Sequence, residues 1–247
     1  MDLGISGKRA IVAGASLGLG LAAARALVAE GATVVVGSRT AERIEAAAAA
    51  LGPAAVPLVG DVSTPEGATA FAEAAVEALG GVDIVVTNAG GPPAGTFAST
   101  PLDAYPSALD LNLLSVVALC KATVPAMQAQ GWGRVVAITS VAVKQPIDTL
   151  ILSNTARAGA TGFLKTLATE VAADGVTVNS VLPGFHRTDR LVHLNRDLDA
   201  VAAGVPARAI GDPDDFGAVV TFLCSQQAAY VTGTALAVDG GASRGLL

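Results

Sequence analysis

Three glycines near the start of the chain carry the first chemical signal. The segment Gly14-Ala15-Ser16-Leu17-Gly18-Leu19-Gly20 follows the apolar run Arg9–Ala13 and opens an alanine-rich stretch. Gly14 lets a strand turn sharply. Gly18 removes the side chain where backbone would approach a diphosphate. Gly20 lets the next helix lie close to the strand. The amides from Ser16 to Leu19, with the helix N-terminus behind them, then face an anion. A glycine turn also serves plain packing, but this one stands at the first strand-to-helix crossover, where a nucleotide is expected.

A second signal stands at the end of the next apolar run, Val36-Gly37-Ser38-Arg39. A dinucleotide with a free ribose diol is usually held there by an acidic side chain. No carboxylate is present. Ser38 and Arg39 take its place, and a guanidinium pairs well with a phosphate. The pattern favours NADP(H) over NAD(H); the plainer reading of Arg39 is a solvated residue at a turn.

These residues need a scaffold. Valine-rich runs alternate with alanine-rich ones along the whole chain. Strands are expected at 9–13, 33–37, 55–59, 83–87, 134–139, 176–181 and 234–238. Helices are expected at 19–30, 41–51, 65–79, 102–130, 153–173 and 213–225. Several strands lack polar alternation, as in a sheet covered on both faces. Repeated strand–helix units predict an α/β fold: a doubly wound, Rossmann-type parallel sheet of about seven strands, with ligands at the strands' carboxyl ends. Residues 1–247 read as one domain. The least regular stretch, 186–212, is expected to be a mobile cover over the ligand.

With this frame the chain is identified as resembling the short-chain dehydrogenase/reductase family, and within it the 3-oxoacyl-carrier-protein reductases. The likeness rests on the spacing of Gly14, Gly18 and Gly20, on Asp61-Val62, on Asn88-Ala89-Gly90, on Asn112 and Ser140, on Pro183-Gly184 with Thr188, and on Tyr230-Val231-Thr232-Gly233 leading to Val238-Asp239-Gly240-Gly241. The resemblance implies that Asp61 and Val62 contact adenine, and that Asn88, Ala89 and Gly90 line the cofactor. It implies that Asn112 helps hold an active-site water and that Ser140 orients substrate. Pro183, Gly184 and Thr188 would reach the nicotinamide carboxamide. It also implies a homodimer or homotetramer paired through the two long helices.

One departure matters more than these matches. The family carries Tyr-x-x-x-Lys thirteen residues after the serine, whereas this chain reads Ser153-Asn154-Thr155-Ala156-Arg157. Ala158-Gly159-Ala160-Thr161-Gly162-Phe163 then continues the family pattern, which keeps the alignment in place. A tyrosine titrates near about 10 and can be tuned toward neutrality. A serine hydroxyl is a far weaker acid. Arg157, one turn after Ser153 on the same face, still offers charge and hydrogen bonds to a ribose but relays no proton.

Three readings follow: an oxidoreductase with a modified site, an NADP-binding sensor or partner subunit without turnover, and a non-redox reaction in the same pocket. Stand-in proton donors are sought at Lys144, Asp148 and His186. His193, Tyr105, Tyr230 and Trp132 read as surface or packing residues. Apolar residues around the pocket, among them Phe97, Ile147, Leu150 and Phe185, predict a small hydrophobic organic substrate.

The bulk numbers exclude other classes. A net charge of −6 argues against nucleic acid. No unbroken apolar run of membrane-spanning length stands in the sequence. Two cysteines, Cys120 and Cys224, and two histidines stand at no metal-like spacing, so no metal site is expected, and a reducing cytoplasm fits.

Overall fold

The computed structural model describes residues 2–194 and 197–245, with the side chains of His193 and Leu194 outside that description. The expectation for His193 therefore lies outside the described residues. Seven strands form one sheet in the order β3-β2-β1-β4-β5-β6-β7: β1 Arg9–Val12, β2 Thr33–Ser38, β3 Ala55–Val59, β4 Ile84–Thr87, β5 Gly133–Ile138, β6 Val176–Pro183 and β7 Ala235–Val238. All neighbours are parallel; Val12 pairs with Val36 on one side and Val86 on the other. The order reverses between β1 and β4, which opens a crevice at their carboxyl ends.

Apolar residues on both faces of each strand explain the two cores. Ala10 and Val12 point to one face, Ile11 and Ala13 to the other. The first face is covered by α1 (Gly18–Ala29), α2 (Ala41–Leu51) and α9 (Pro213–Leu223), through Leu27, Ile44, Phe216 and Val220. The second is covered by α3 (Pro65–Leu79), α5 (Ser115–Ala129) and α6 (Ile151–Val171), through Phe71, Leu119 and Leu164. Cys120 and Cys224 are buried free thiols on opposite faces, so the sheet separates them. Arg134, fully buried, donates to the carbonyls of Ser225, Gly133 and Gly175 and stacks on Trp132, which makes Trp132 a packing anchor as expected.

The region expected as one long helix runs from Ala104 to Ala129 in three parts: α4 (Ala104–Leu109), a π-helical turn (Asp110–Leu114) and α5. By length and composition this stretch could cross a membrane, yet half of its most apolar window is buried within the protein. Segment 186–212 holds two short helices, α7 (Asp189–Leu194) and α8 (Leu198–Gly204). Its two ends meet: the Arg187 amide donates to the Gly211 carbonyl, and the Gly211 amide to that of Phe185, both at 2.9 Å.

Candidate active site and cofactor cleft

The glycine turn after β1 is built for close approach. Gly14 and Gly18 have φ of +59° and +60°, where a side chain is disfavoured. A Cβ on Gly20 would lie 2.3 Å from the Gly14 carbonyl oxygen. Asn88, after β4, braces the turn by donating from Nδ2 to that same oxygen at 3.0 Å. Leu17 occupies the N-cap of α1 and offers no side-chain acceptor. The first amides of the helix are therefore left to a ligand. Thr188 lies across the turn, its Cγ2 3.6 Å from where a Gly18 Cβ would be.

At the far end of the crevice, Ser38 closes β2 opposite Val59. Arg39 is 72% exposed, and its Nε stands 4.0 Å from Asp61 Oδ1. Such an exposed, long ion pair contributes little, so the guanidinium can turn to a phosphate. Asp61 Oδ1 accepts from the Ser63 amide at 2.9 Å, and Val62 packs against the core beneath.

Between these ends lies a cavity of about 320 Å³ at the carboxyl ends of β1, β4, β5 and β6. Gly14, Gly18, Leu19, Asn88, Ala89, Gly90, Ser140, Ser153, Arg157, Pro183 and Thr188 all line it. A Cβ on Gly90 would meet nothing within 4 Å, so that residue opens onto free space. A neighbouring hollow of about 240 Å³ adds Gly184. Another of about 440 Å³ adds Ser16. Thr188 lines all three. This run of space along the glycine turn and past Gly90 fits a dinucleotide.

Ser140 follows β5 and accepts from the Ala142 amide at 3.1 Å. Ser153 sits in the first turn of α6, 7% exposed, and its hydroxyl has no hydrogen-bond partner among the described residues. Arg157, a turn later, donates through Nη1 to the carbonyls of Ile138 at 3.2 Å and Thr139 at 3.0 Å. Burial, with the charge of Arg190 adding to it, brings the Arg157 pKa down to about 10. It stays a cation at neutral pH.

Asn112 stands behind this wall, not in it. The π-helical turn aims its Nδ2 at the Gly90 carbonyl, 2.9 Å away. Its Oδ1 lines a small hollow of about 10 Å³ under Arg157, together with Thr87 and Thr139. Asn112 Oδ1, Thr87 Oγ1 and Thr139 Oγ1 are buried without a partner among the described residues. Volume and polar lining suit a single water molecule.

None of the three stand-in donors lines the main cavity, although His186 lines the neighbouring hollow beside Gly184 and Phe185. Lys144 and Asp148 are exposed on the loop after β5. His186, expected at a solvated or substrate-facing rim, is instead buried. Its ring meets Phe216 edge-on at 4.9 Å and packs on Gly211. That burial lowers its pKa, so it is held neutral. Tyr105 is half-buried, and Tyr230, expected to pack, is fully exposed among the described residues. The residue that sequence reasoning missed is Arg190, which lines the cavity from α7; its only sequence signal is its place two residues after Thr188.

A twisted parallel sheet with a glycine turn at its switch point defines a dinucleotide-binding α/β protein. A family profile described as Enoyl-(Acyl carrier protein) reductase matches residues 14–243. The 3-oxoacyl-[acyl-carrier-protein] reductase FabG of Vibrio cholerae is 36% identical over 240 residues, covering 97% of this chain and 98% of that protein. Dehydrogenase/reductase SDR family member 4 of Bos taurus is 34% identical over 244 residues, covering 96% and 88%. The crystal structure of L-sorbose reductase from Gluconobacter frateurii, complexed with NADPH and L-sorbose, superposes with a TM-score of 0.94 at 34% identity, over 100% of both chains. The chain belongs to the short-chain dehydrogenase/reductase family.

Proposed function

We propose that this protein is an NADP(H)-dependent oxidoreductase that moves hydride between nicotinamide and the carbonyl or alcohol of a hydrophobic organic substrate. Ser153 and Arg157 stand where the family's tyrosine and lysine do. One observation carries the reading: buried Ser153, whose hydroxyl has no hydrogen-bond partner among the described residues, and the Arg157 guanidinium share one cavity with Gly90, Ser140 and Thr188. Relatives named as reductases, and one solved with NADPH, support it.

In this reading the amides from Ser16 to Gly20 hold the diphosphate and Gly14 shapes the turn. Ser38 and Arg39 take the 2′-phosphate. Asp61 and Val62 flank adenine. Asn88, Ala89 and Gly90 line the ribose side, Arg157 bonds the ribose, and Pro183, Gly184 and Thr188 hold the carboxamide. NADPH bound there supplies the hydride. Ser140 and Ser153 donate hydrogen bonds to the carbonyl oxygen as it gains charge, and Arg157 adds a fixed positive charge nearby. The proton that completes the alcohol comes from solvent, because no side chain on the wall is an acid of suitable strength. Asn112 holds the inner water under Arg157. Apolar Phe97, Ile147 and Phe185, all exposed, form the substrate's rim.

The missing side-chain acid also favours a second reading, cofactor binding without turnover. Pairing into a homodimer or homotetramer is proposed through α5 and α6, whose outer faces enclose a largely apolar groove of about 390 Å³. Two buried free thiols suit a reducing cytoplasm.

The test is NADPH oxidation against a panel of ketones and quinones, alongside cofactor titration. Tight NADPH binding with turnover supports the oxidoreductase; binding with no turnover across the panel supports the second reading. The double variant Ser153→Tyr with Arg157→Lys is expected to raise ketone reduction by about a hundredfold, the low end of general-acid contributions. Unchanged activity would contradict the placement of these two residues. Failure of either pyridine dinucleotide to bind at millimolar concentration would end the proposal.

A further inference from the structure

We infer that Arg190 determines substrate specificity, gripping an oxyanion on the substrate, a carboxylate or a phosphate ester, beside Gly91. The inference rests on the oxidoreductase reading for what the cavity holds.

Arg190 projects from α7 onto the loop after β4. Its Nη2 and Nη1 lie 2.8 and 2.9 Å from where a Gly91 Cβ would be. The guanidinium thus presents its Nη1–Nη2 edge to backbone that only a glycine leaves bare. That loop belongs to the substrate side: the Gly95 amide donates to the Thr149 carbonyl at 2.7 Å and the Ile151 amide to that of Gly95 at 3.2 Å, tying it to the apolar rim before α6. Arg190 also lines both the main cavity and the hollow beside Phe185.

Charge balance supplies the second argument. The residues lining the main cavity include two arginines, Arg157 and Arg190, and no Asp or Glu. Arg190 makes none of the ion pairs seen among the described residues, which join Arg9 to Asp83, Arg25 to Asp214 and Arg39 to Asp61. No hydrogen bond from its side chain is found among those residues either. The charge of Arg190 raises the cost of the charge on Arg157. A chain of net charge −6 that gathers two arginines, neither in an ion pair among the described residues, in one cavity lined by no Asp or Glu has a site for an anion. The cofactor's diphosphate is met by the main-chain amides of the glycine turn, and Arg157 is committed to the wall of β5. Arg190 remains, on the opposite lip. Its planar fork matches a carboxylate or phosphate in two-point contact. With the apolar rim, this points to an organic oxo acid or oxo phosphate.

The experiment titrates matched pairs into the NADPH-loaded protein and reads the change in NADPH fluorescence. The pairs are acetoacetate against methyl acetoacetate, and dihydroxyacetone phosphate against dihydroxyacetone. In at least one pair the anion is expected to bind about tenfold or more tightly than its neutral partner, a difference that added salt narrows. Which pair shows it distinguishes carboxylate from phosphate. Arg190→Met is expected to erase the difference while leaving NADPH affinity within about twofold, and Arg190→Lys to keep part of it. No anion preference in either pair would overturn the inference. So would an Arg190→Met variant that loses NADPH affinity about tenfold, since Arg190 would then belong to the cofactor. If the protein fails to bind NADPH, the oxidoreductase reading falls; calorimetry with the same pairs on the protein alone still decides the role of Arg190.

Discussion

Replacing Arg157 by methionine separates what this side chain does for the fold from what it does for the chemistry. Methionine keeps the length and removes the charge. Each pH unit by which burial lowers a base's pKa corresponds to about 1.4 kcal/mol. A guanidinium brought from above 12 to about 10 therefore carries a folding penalty of about 3 kcal/mol. Against this stand two charge-assisted hydrogen bonds to the Ile138 and Thr139 carbonyls, each contributing about 1.5–3 kcal/mol. A buried thioether adds about 1–2 kcal/mol to the variant. The contributions nearly cancel, so urea unfolding should place Arg157→Met within about 2 kcal/mol of the parent. The sign of the pH effect is also fixed. The folded-state pKa is the lower one, so the penalty is fully present below about pH 10 and shrinks only above it. From about pH 6 to pH 9 the stability difference between the two proteins should be flat. Reductase activity should instead fall by about a hundredfold or more, the loss typical of removing one charge-stabilising donor. A destabilisation above about 4 kcal/mol would make Arg157 a structural strut of the α6–β5 contact. Activity within about threefold of the parent would remove it from the chemistry.

Two further perturbations address the cofactor. Arg39→Ser should lower the preference for NADPH over NADH in kcat/KM by about tenfold to a hundredfold, the range of one charge-assisted contact, with little change in stability because the side chain is exposed; an unchanged ratio would place the 2′-phosphate elsewhere. Gly20→Ala should force a Cβ against the Gly14 carbonyl oxygen and Asn88 Nδ2, costing about 1–3 kcal/mol in chemical unfolding and weakening NADPH by about tenfold as the turn shifts; parent-like affinity would show that the turn does not hold the diphosphate.

The strands were legible because their apolar runs carry the double burial of a covered sheet, and the six expected helices fell within two residues of their observed ends. Ser153 and Arg157 were legible because a spacing of four fixes a shared helical face. Other features depend on partners far along the chain. The π-helical turn at Asp110–Leu114 leaves no mark in an apolar pattern, yet it sets the height of Asn112 against Gly90. His186 looked open to solvent because Phe216 and Gly211, which enclose it, lie more than twenty residues away. Arg190 carried no motif; its meaning comes from the bare backbone of Gly91 on another loop.

The two main-chain bonds that join Phe185 and Arg187 to Gly211 close a neck around everything between them. The cost of closing a loop grows only with the logarithm of its length, and here that cost is met at the neck, next to the sheet. Past Thr188, which stays against the glycine turn, the segment can thus vary in length while the strands keep their register. A Cβ at Gly211 would meet the His186 ring at 2.7 Å, so the neck also restricts which residue can close it.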